Sequence, residues 1–186
     1  RARIKDGHTI LDLGCGWGSL SIYLAKNFPN SKIFSVSNSK IQKQYIDNFN
    51  YKNLNVITKD INSFEIEQQF DRVISIEMFE HMRNWEKLLE KISRWINPSG
   101  LMLIHIFVHK NTSYLLDNSG KVNWMSENFF KEGMIPAHNL ITLCNQHFIT
   151  KKIWKINGIH YAKTLKSWLN NFDQNILRIT NILNEN

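Results

Sequence analysis

Apolar and polar positions along the chain fall into two periods that alternate. Thr9 to Leu13, Lys32 to Ser37, Leu54 to Thr58, Asp71 to Ile76 and Leu101 to Val108 are short apolar runs of strand length. Helical spacing lies between them: Leu20, Leu24 and Phe28 within Ser19 to Phe28, Ile41, Tyr45 and Phe49 within Ser39 to Phe49, and Leu88, Leu89, Ile92, Trp95 and Ile96 within Trp85 to Ile96. Asn97-Pro98-Ser99-Gly100 should stop the last of these helices. Arg1 to Gly7 reads as a polar lead-in and Asn27 to Ser31, with Pro29, as a loop. Strands alternating with helices predict an α/β fold with a doubly wound, Rossmann-like, mostly parallel sheet of order 3-2-1-4-5, its first strand buried on both faces. Beyond Lys110 the pattern loosens. It predicts a long polar-aromatic connection to Gly133, a helix in Ala137 to His147, a sixth strand over Phe148 to Ile156 beside the fifth, and a helix in Thr164 to Leu183. With no internal repeat or linker, 1–186 reads as one domain.

The junction of the first strand and first helix is Ile10-Leu11-Asp12-Leu13-Gly14-Cys15-Gly16-Trp17-Gly18-Ser19-Leu20. An apolar run ends in an acid, then glycines fall at alternate positions. Such a turn lets a ligand lie against the main chain, and the helix after it starts with free N–H groups aimed at that ligand. Three readings are open: a strand-to-helix connection with no ligand, a dinucleotide site, and an S-adenosylmethionine (SAM) site. A dinucleotide site wants G-x-G-x-x-G and an acid after strand two. This chain has Asp-x-Gly-x-Gly-x-Gly, which resembles the first motif of class I SAM-dependent methyltransferases, and Val36-Ser37-Asn38-Ser39 with Gln42 but no acid.

In a doubly wound sheet ligands gather at the carboxyl ends of the strands. Ser37, Asn38 and Gln42 could bond hydroxyls or a carboxylate there, with Ser39 also placed to cap a helix. After strand three, Asp60 could accept from an adenine amino group and Ile61 could cover the ring; Asp60 is equally a turn residue. After strand four, Glu77, Glu80 and His81 crowd the end of a buried strand, which is expensive unless those groups are paired or used. The Asn-Pro-Pro-Tyr signature of methyltransferases acting on base or glutamine amides is absent at that point.

Composition narrows the picture. The chain has 186 residues, 42% of them hydrophobic, so it can bury a core. No apolar run reaches the roughly 20 residues of a membrane span. Cys15 and Cys144 make neither a disulfide framework nor a metal pattern, so a reduced, cytoplasmic protein with no bound metal is expected. The net charge of +7 could favour an anionic surface, including peripheral membrane contact. The lysines are scattered, however, and no nucleic-acid-binding signature appears. The chain opens at Arg1 almost on the first strand and ends in a polar tail, which is expected of a fragment at both ends.

Leu11-Asp12-Leu13-Gly14-Cys15-Gly16-Trp17-Gly18-Ser19-Leu20, Ser37-Asn38-Ser39-x-x-Gln42 and Glu77-Met78-Phe79-Glu80-His81-Met82 together resemble the cyclopropane fatty acid synthase family of SAM-dependent enzymes, which includes a coclaurine N-methyltransferase-like branch. The likeness continues through His105-Ile106-Phe107-Val108-His109-Lys110, Asn123-Trp124-Met125, Phe129-Phe130, Met134-Ile135-Pro136 and Asn157-Gly158-Ile159-His160-Tyr161-Ala162-Lys163-Thr164. The resemblance implies SAM binding by Asp12, Gly14, Gly16, Gly18, Ser37, Asn38, Gln42, Asp60 and Ile61, with 1–110 as the cofactor-binding core and 111–186 on the substrate side. It implies that Glu80, His105 and Tyr161 match the residues holding a bicarbonate in the synthases, and that Glu80 and His81 match the pair at the amine in the N-methyltransferases. The synthases typically have Gly where this chain has Glu77, and Phe-Glu-His-Val-Gly where it has Phe-Glu-His-Met-Arg. Many members read Gly-Gly-x-Met-Pro-Ser at Glu132-Gly133-Met134-Ile135-Pro136-Ala137. The helices that help cover SAM, a cysteine of the bicarbonate site and the last strand of the usual seven are expected outside this chain. The expected activity is methyl transfer to a small-molecule amine. The alternatives are modification of an acyl lipid and a non-catalytic SAM-binding domain; oligomeric state is open.

Overall fold

The computed structural model of the chain describes residues 1–116 and 133–184. These fall into two compact units, Arg1–Ile149 and Thr150–Asn186. The first is built on five parallel strands: β1 (Thr9–Leu13), β2 (Lys32–Ser37), β3 (Leu54–Thr58), β4 (Phe70–Ile76) and β5 (Ile96–His105). Their order is β3-β2-β1-β4-β5, as the alternating pattern predicts.

Side-chain alternation along β1 assigns the two faces. Leu11 and Leu13 enter a core with Val73, Phe70 and the apolar face of α3 (Trp85–Trp95), which buries Trp85, Leu88, Leu89, Ile92 and Trp95. Ile10 turns the other way, to Ile33, Ile74 and the Leu24 and Ala25 of α1 (Ser19–Asn27). Each of these large side chains contributes about 1.5–3 kcal/mol by leaving water. Asp12, on the α1 face, is 2% exposed; it accepts a 2.6 Å hydrogen bond from Ser21 Oγ, which in turn accepts one of 2.8 Å from Ser35 Oγ. A carboxylate inside the sheet therefore ties β1 to α1 and β2. Burial pushes its pKa up to about 6, against the Ser21 bond.

The helix α2 (Lys40–Asp47) is capped by Ser39, whose side chain accepts from Gln42 N. Its inward residue is Ile46, whereas Ile41 and Tyr45 and, beyond its end, Phe49 are exposed. Tyr45 is edge-on to both Trp17 and Phe49.

Several expectations need correction. The strand β5 begins at Ile96, because Ile96 pairs with Phe70 before Asn97-Pro98-Ser99-Gly100 bulges out and Leu101 resumes opposite Arg72. Asn97 Nδ2 holds the bulge by donating to Asp71 Oδ1 at 2.9 Å. The same strand ends at His105, short of Val108. No strand forms over residues 148–156; Lys151-Lys152 and Ile153-Trp154 break the two-residue period a ladder needs. Within Ala137 to His147 only α4 (Leu140–Leu143) is helical. Part of the segment expected to be a plain connection forms an antiparallel pair, β6 (Tyr114–Leu115) with β7 (Met134–Ile135). The second unit carries two helices, α5 (Ile159–Gln174) and α6 (Ile176–Asn184), where one was expected. Among the described residues no helix is long and apolar enough to cross a membrane.

The Gly-rich turn is locked from both sides. A Cβ on Gly18, at φ 79°, would stand 2.6 Å from Cγ1 of the buried Ile46. Gly18→Ala is expected to destabilise the fold by about 1–3 kcal/mol through backbone strain and overpacking. Urea unfolding monitored by circular dichroism checks this, and an unchanged midpoint contradicts it.

Candidate active site

Because β1 to β5 are parallel, their carboxyl ends lie along one edge of the sheet. Gly14 follows β1, Ser37 and Asn38 close β2, Asp60 follows β3, Glu77 to His81 follow β4, and His105 closes β5. All the predicted site residues except Tyr161 thus belong to this edge or, for Asp12 and Gln42, to the elements that meet it.

At the Gly-rich turn, Gly14 N and Cys15 N both donate to Val36 O at 3.0 Å, pinning the turn to β2. A Cβ on Gly14 would meet Met78 Cγ at 2.6 Å, so the turn also rests on the segment after β4. Gly16, at φ 53°, is different: a Cβ there would have nothing within 4 Å. The residues around the turn fit a ligand laid against the main chain at Gly16. Cys15 is buried, and that burial, with Asp12 next, pushes its thiol up to about 12; the sulfur is a packing group.

The other cofactor candidates divide. Ser37 Oγ donates to Gln42 Oε1 at 2.5 Å and accepts from Ser39 N at 3.0 Å, so the two predicted residues hold one another and the start of α2. Asn38 is exposed. Asp60 is exposed and forms a turn, its Oδ1 accepting from Asn62 N at 2.7 Å. Ile61 packs against the main core.

The segment after β4 carries the strongest electrostatic signal. Glu77 is a non-glycine residue at φ 52°, where an L side chain is strained. Its N–H donates to His105 O at 2.8 Å, and its Oε1 lies 2.9 Å from His105 Nδ1. Glu80, in a 3-10 turn (Phe79–His81), is fully buried, and neither carboxyl oxygen meets a hydrogen-bond partner. Burial first, then the Glu77 carboxylate, pushes its pKa up from 4.5 to about 8. His81 is exposed at its residue surface, yet desolvation holds its imidazole below the ordinary value despite Glu77. Near neutral pH the cluster holds a protonated Glu80 and a mostly neutral His81 beside the Glu77–His105 pair.

Glu77 is the site residue that sequence reasoning left unassigned. Its place at the end of a buried strand was a visible signal; its pairing with His105 across the sheet was not. Tyr161 lies on the first turn of α5 in the second unit. Asn123-Trp124-Met125, Phe129-Phe130 and Glu132 lie outside the described residues.

Comparison with known proteins gives the lineage of this edge. A curated (S)-coclaurine N-methyltransferase from Thalictrum flavum subsp. glaucum is 35% identical over 182 residues, covering 95% of this chain and 50% of that protein. The cyclopropane-fatty-acyl-phospholipid synthase of Escherichia coli (strain K12) is 27% identical over 174 residues, covering 92% and 44%. The crystal structure of coclaurine N-methyltransferase bound to N-methylheliamine and SAH superposes with a TM-score of 0.88 at 35% identity, covering 95% of this chain and 52% of that one. The chain spans about half the length of the curated relatives it matches. The doubly wound α/β expectation is borne out by that superposition. The family model described as mycolic acid cyclopropane synthetase matches residues 1–186, and with the 35% identical relative it settles the lineage: this chain belongs to the mycolic acid cyclopropane synthetase family.

Proposed function

We propose that this chain is the catalytic part of a SAM-dependent methyltransferase acting on a small-molecule amine. The observation that carries the reading is the acidic cluster after β4: a buried Glu80 with no hydrogen-bond partner beside a Glu77 already paired to His105. Two carboxyl groups in that arrangement suit a cation. They are a poor receptor for a bicarbonate, which would add negative charge beside Glu77 and would have to displace Glu77 from His105. The residues present therefore do not fit a bicarbonate, and this disfavours the lipid-alkene alternative. The N-methyltransferase relatives support the same choice, being more similar than the lipid synthase.

Gly14, Gly16 and Gly18 would hold the cofactor against the main chain, with Asp12, Ser37, Asn38, Gln42, Asp60 and Ile61 around it. When bound, SAM supplies an electrophilic methyl group on a sulfonium. The protein's task is to align the amine in line with that methyl and keep water out. An amine arrives mostly as its ammonium ion, whose nitrogen has no free lone pair. His81 is the base for that proton, its lowered pKa leaving the imidazole unprotonated near neutral pH. The Glu80 carboxyl, once ionised, stabilises the cation that methylation forms, and Glu77 adds to that field. Cytoplasmic location and a lack of nucleic-acid partners remain part of the proposal.

The direct test is transfer of labelled methyl from SAM by the full-length protein, offered heliamine or vesicles of unsaturated phospholipid. The expected result is N-methylheliamine, no vesicle labelling and no response to added bicarbonate; bicarbonate-dependent labelling of the vesicles overturns the reading. His81→Ala is expected to slow transfer by about 10²-fold with SAM affinity intact.

Ionisation of Glu80 sets a pH dependence. Its active form is the carboxylate, present above the raised pKa of the free protein, so kcat/KM should climb as pH rises through about 8. In Glu80→Gln that rise should vanish, whereas ionisation of the amine itself is common to both proteins. A rise that survives the substitution assigns it to another group.

Gly16→Val should abolish binding of SAM and SAH in calorimetry, because its side chain fills the open position at the turn. Retained affinity would show that the ligand lies elsewhere.

A further inference from the structure

Glu80 and His81 do not sit on a long regular element. They occupy one 3-10 turn between β4 and α3, and no side chain caps it. Its own backbone bonds are few: His81 N donates to Met78 O at 3.0 Å and Met82 N to Phe79 O at 2.9 Å. The Glu80 carboxyl forms no hydrogen bond of good geometry with the turn; the groups facing it are its own backbone N–H and the Glu77 carboxyl. The position of that carboxyl is therefore inherited from the backbone of the turn.

Trp85 supplies the missing constraint. Its indole Nε1–H donates to Phe79 O and to Met82 O, both at 2.9 Å. Those two carbonyls bracket Glu80 and His81, so one N–H closes the loop around both residues. The indole is itself fixed. It is 4% exposed, lies edge-on to the fully buried Phe79 with ring centroids 5.4 Å apart, and stands on the first residue of α3, which Asn84 caps. The Phe79 carbonyl takes the indole as a second donor beside Met82 N, which its two lone pairs allow.

We propose that Trp85 is a positioning residue for methyl transfer: its indole N–H clamps the Phe79–Met82 turn and so fixes Glu80 and His81 against the acceptor amine. The proposal rests on the amine-methylating reading of this site. Its consequence is asymmetric. Loss of the N–H leaves the Gly-rich turn and its backbone bonds to β2 in place, so cofactor affinity stays. It frees the turn that carries the carboxyl and the imidazole, and misplacement of about 1 Å at such groups costs rate rather than binding.

The test is Trp85→Phe in full-length protein, which keeps an aromatic ring in the core and deletes the donor. Trp95→Phe is the matched control: Trp95 is on the same helix, 2% exposed and edge-on to Phe64, at the other end from the turn. With SAM and heliamine as the probes, Trp85→Phe is expected to lower kcat 10- to 100-fold, leave the amine KM within about threefold and leave the calorimetric SAH Kd within about twofold. Trp95→Phe should keep kcat within about twofold at a comparable loss of thermal stability. An unchanged kcat in Trp85→Phe, or an equal loss in Trp95→Phe, overturns the clamp. Glu80→Gln and His81→Ala run alongside. If they abolish turnover while Trp85→Phe does not, only the clamp falls; if they too are silent, the amine reading falls and takes the clamp with it.

Discussion

The central strand β1 is paired on both edges and covered on both faces, and it delivers its carboxyl end to the Gly-rich turn. That placement constrains everything around the site. The backbone of the turn bonds to Val36 at the end of β2, Gly14 abuts Met78 after β4, and Gly18 abuts Ile46 of α2. Only the Cβ position of Gly16 among the three stays open. A turn wedged against the elements following its neighbouring strands cannot shift alone. The Gly-rich turn and the acidic segment after β4 are thus fixed relative to each other by packing, through Met78.

Charge then decides what the edge can receive. A buried carboxyl with no partner is costly, and Glu80 relieves the cost by keeping its proton to about pH 8. Glu77 takes the opposite route and pairs with His105, at a backbone angle strained for any residue with a side chain. The family resemblance points to glycine at that position in the lipid synthases. Replacing glycine by an acid there puts a carboxylate on the histidine that an external anion would need. On the proposed reading, this one residue turns the preferred guest from an anion to a cation.

Much of this was legible in the sequence because local pattern and global topology agree. Four strands and the helices α1 and α3 lie where alternation and helical spacing put them, whereas the stripe Ile41, Tyr45 and Phe49 expected to face the core from the second helix is exposed and Ile46 takes its place. The early start of β5 was hidden because Asn97-Pro98-Ser99-Gly100 reads as a stop, whereas Asp71 holds it as a bulge inside the strand. The apparent sixth strand failed because apolar content without an unbroken two-residue period does not make a ladder. Ser39 and Asp60 illustrate a different limit: capping and turn formation use the same atoms as ligand binding, and the structure shows the local use. Partnerships across the sheet, such as Glu77 with His105, leave no trace in local spacing.

Proton release on amine binding tests the central claim, that the cluster after β4 is built for a cation. Calorimetry of heliamine binding to SAH-loaded full-length protein at pH 7, repeated in buffers of different ionisation enthalpy, counts the protons exchanged. The account predicts release of close to one proton, because an ammonium entering beside Glu80 expels the proton its carboxyl keeps at that pH, and it predicts that Glu80→Gln abolishes the release. Binding with no proton release in the unsubstituted protein, or displacement of the amine by bicarbonate, would contradict it.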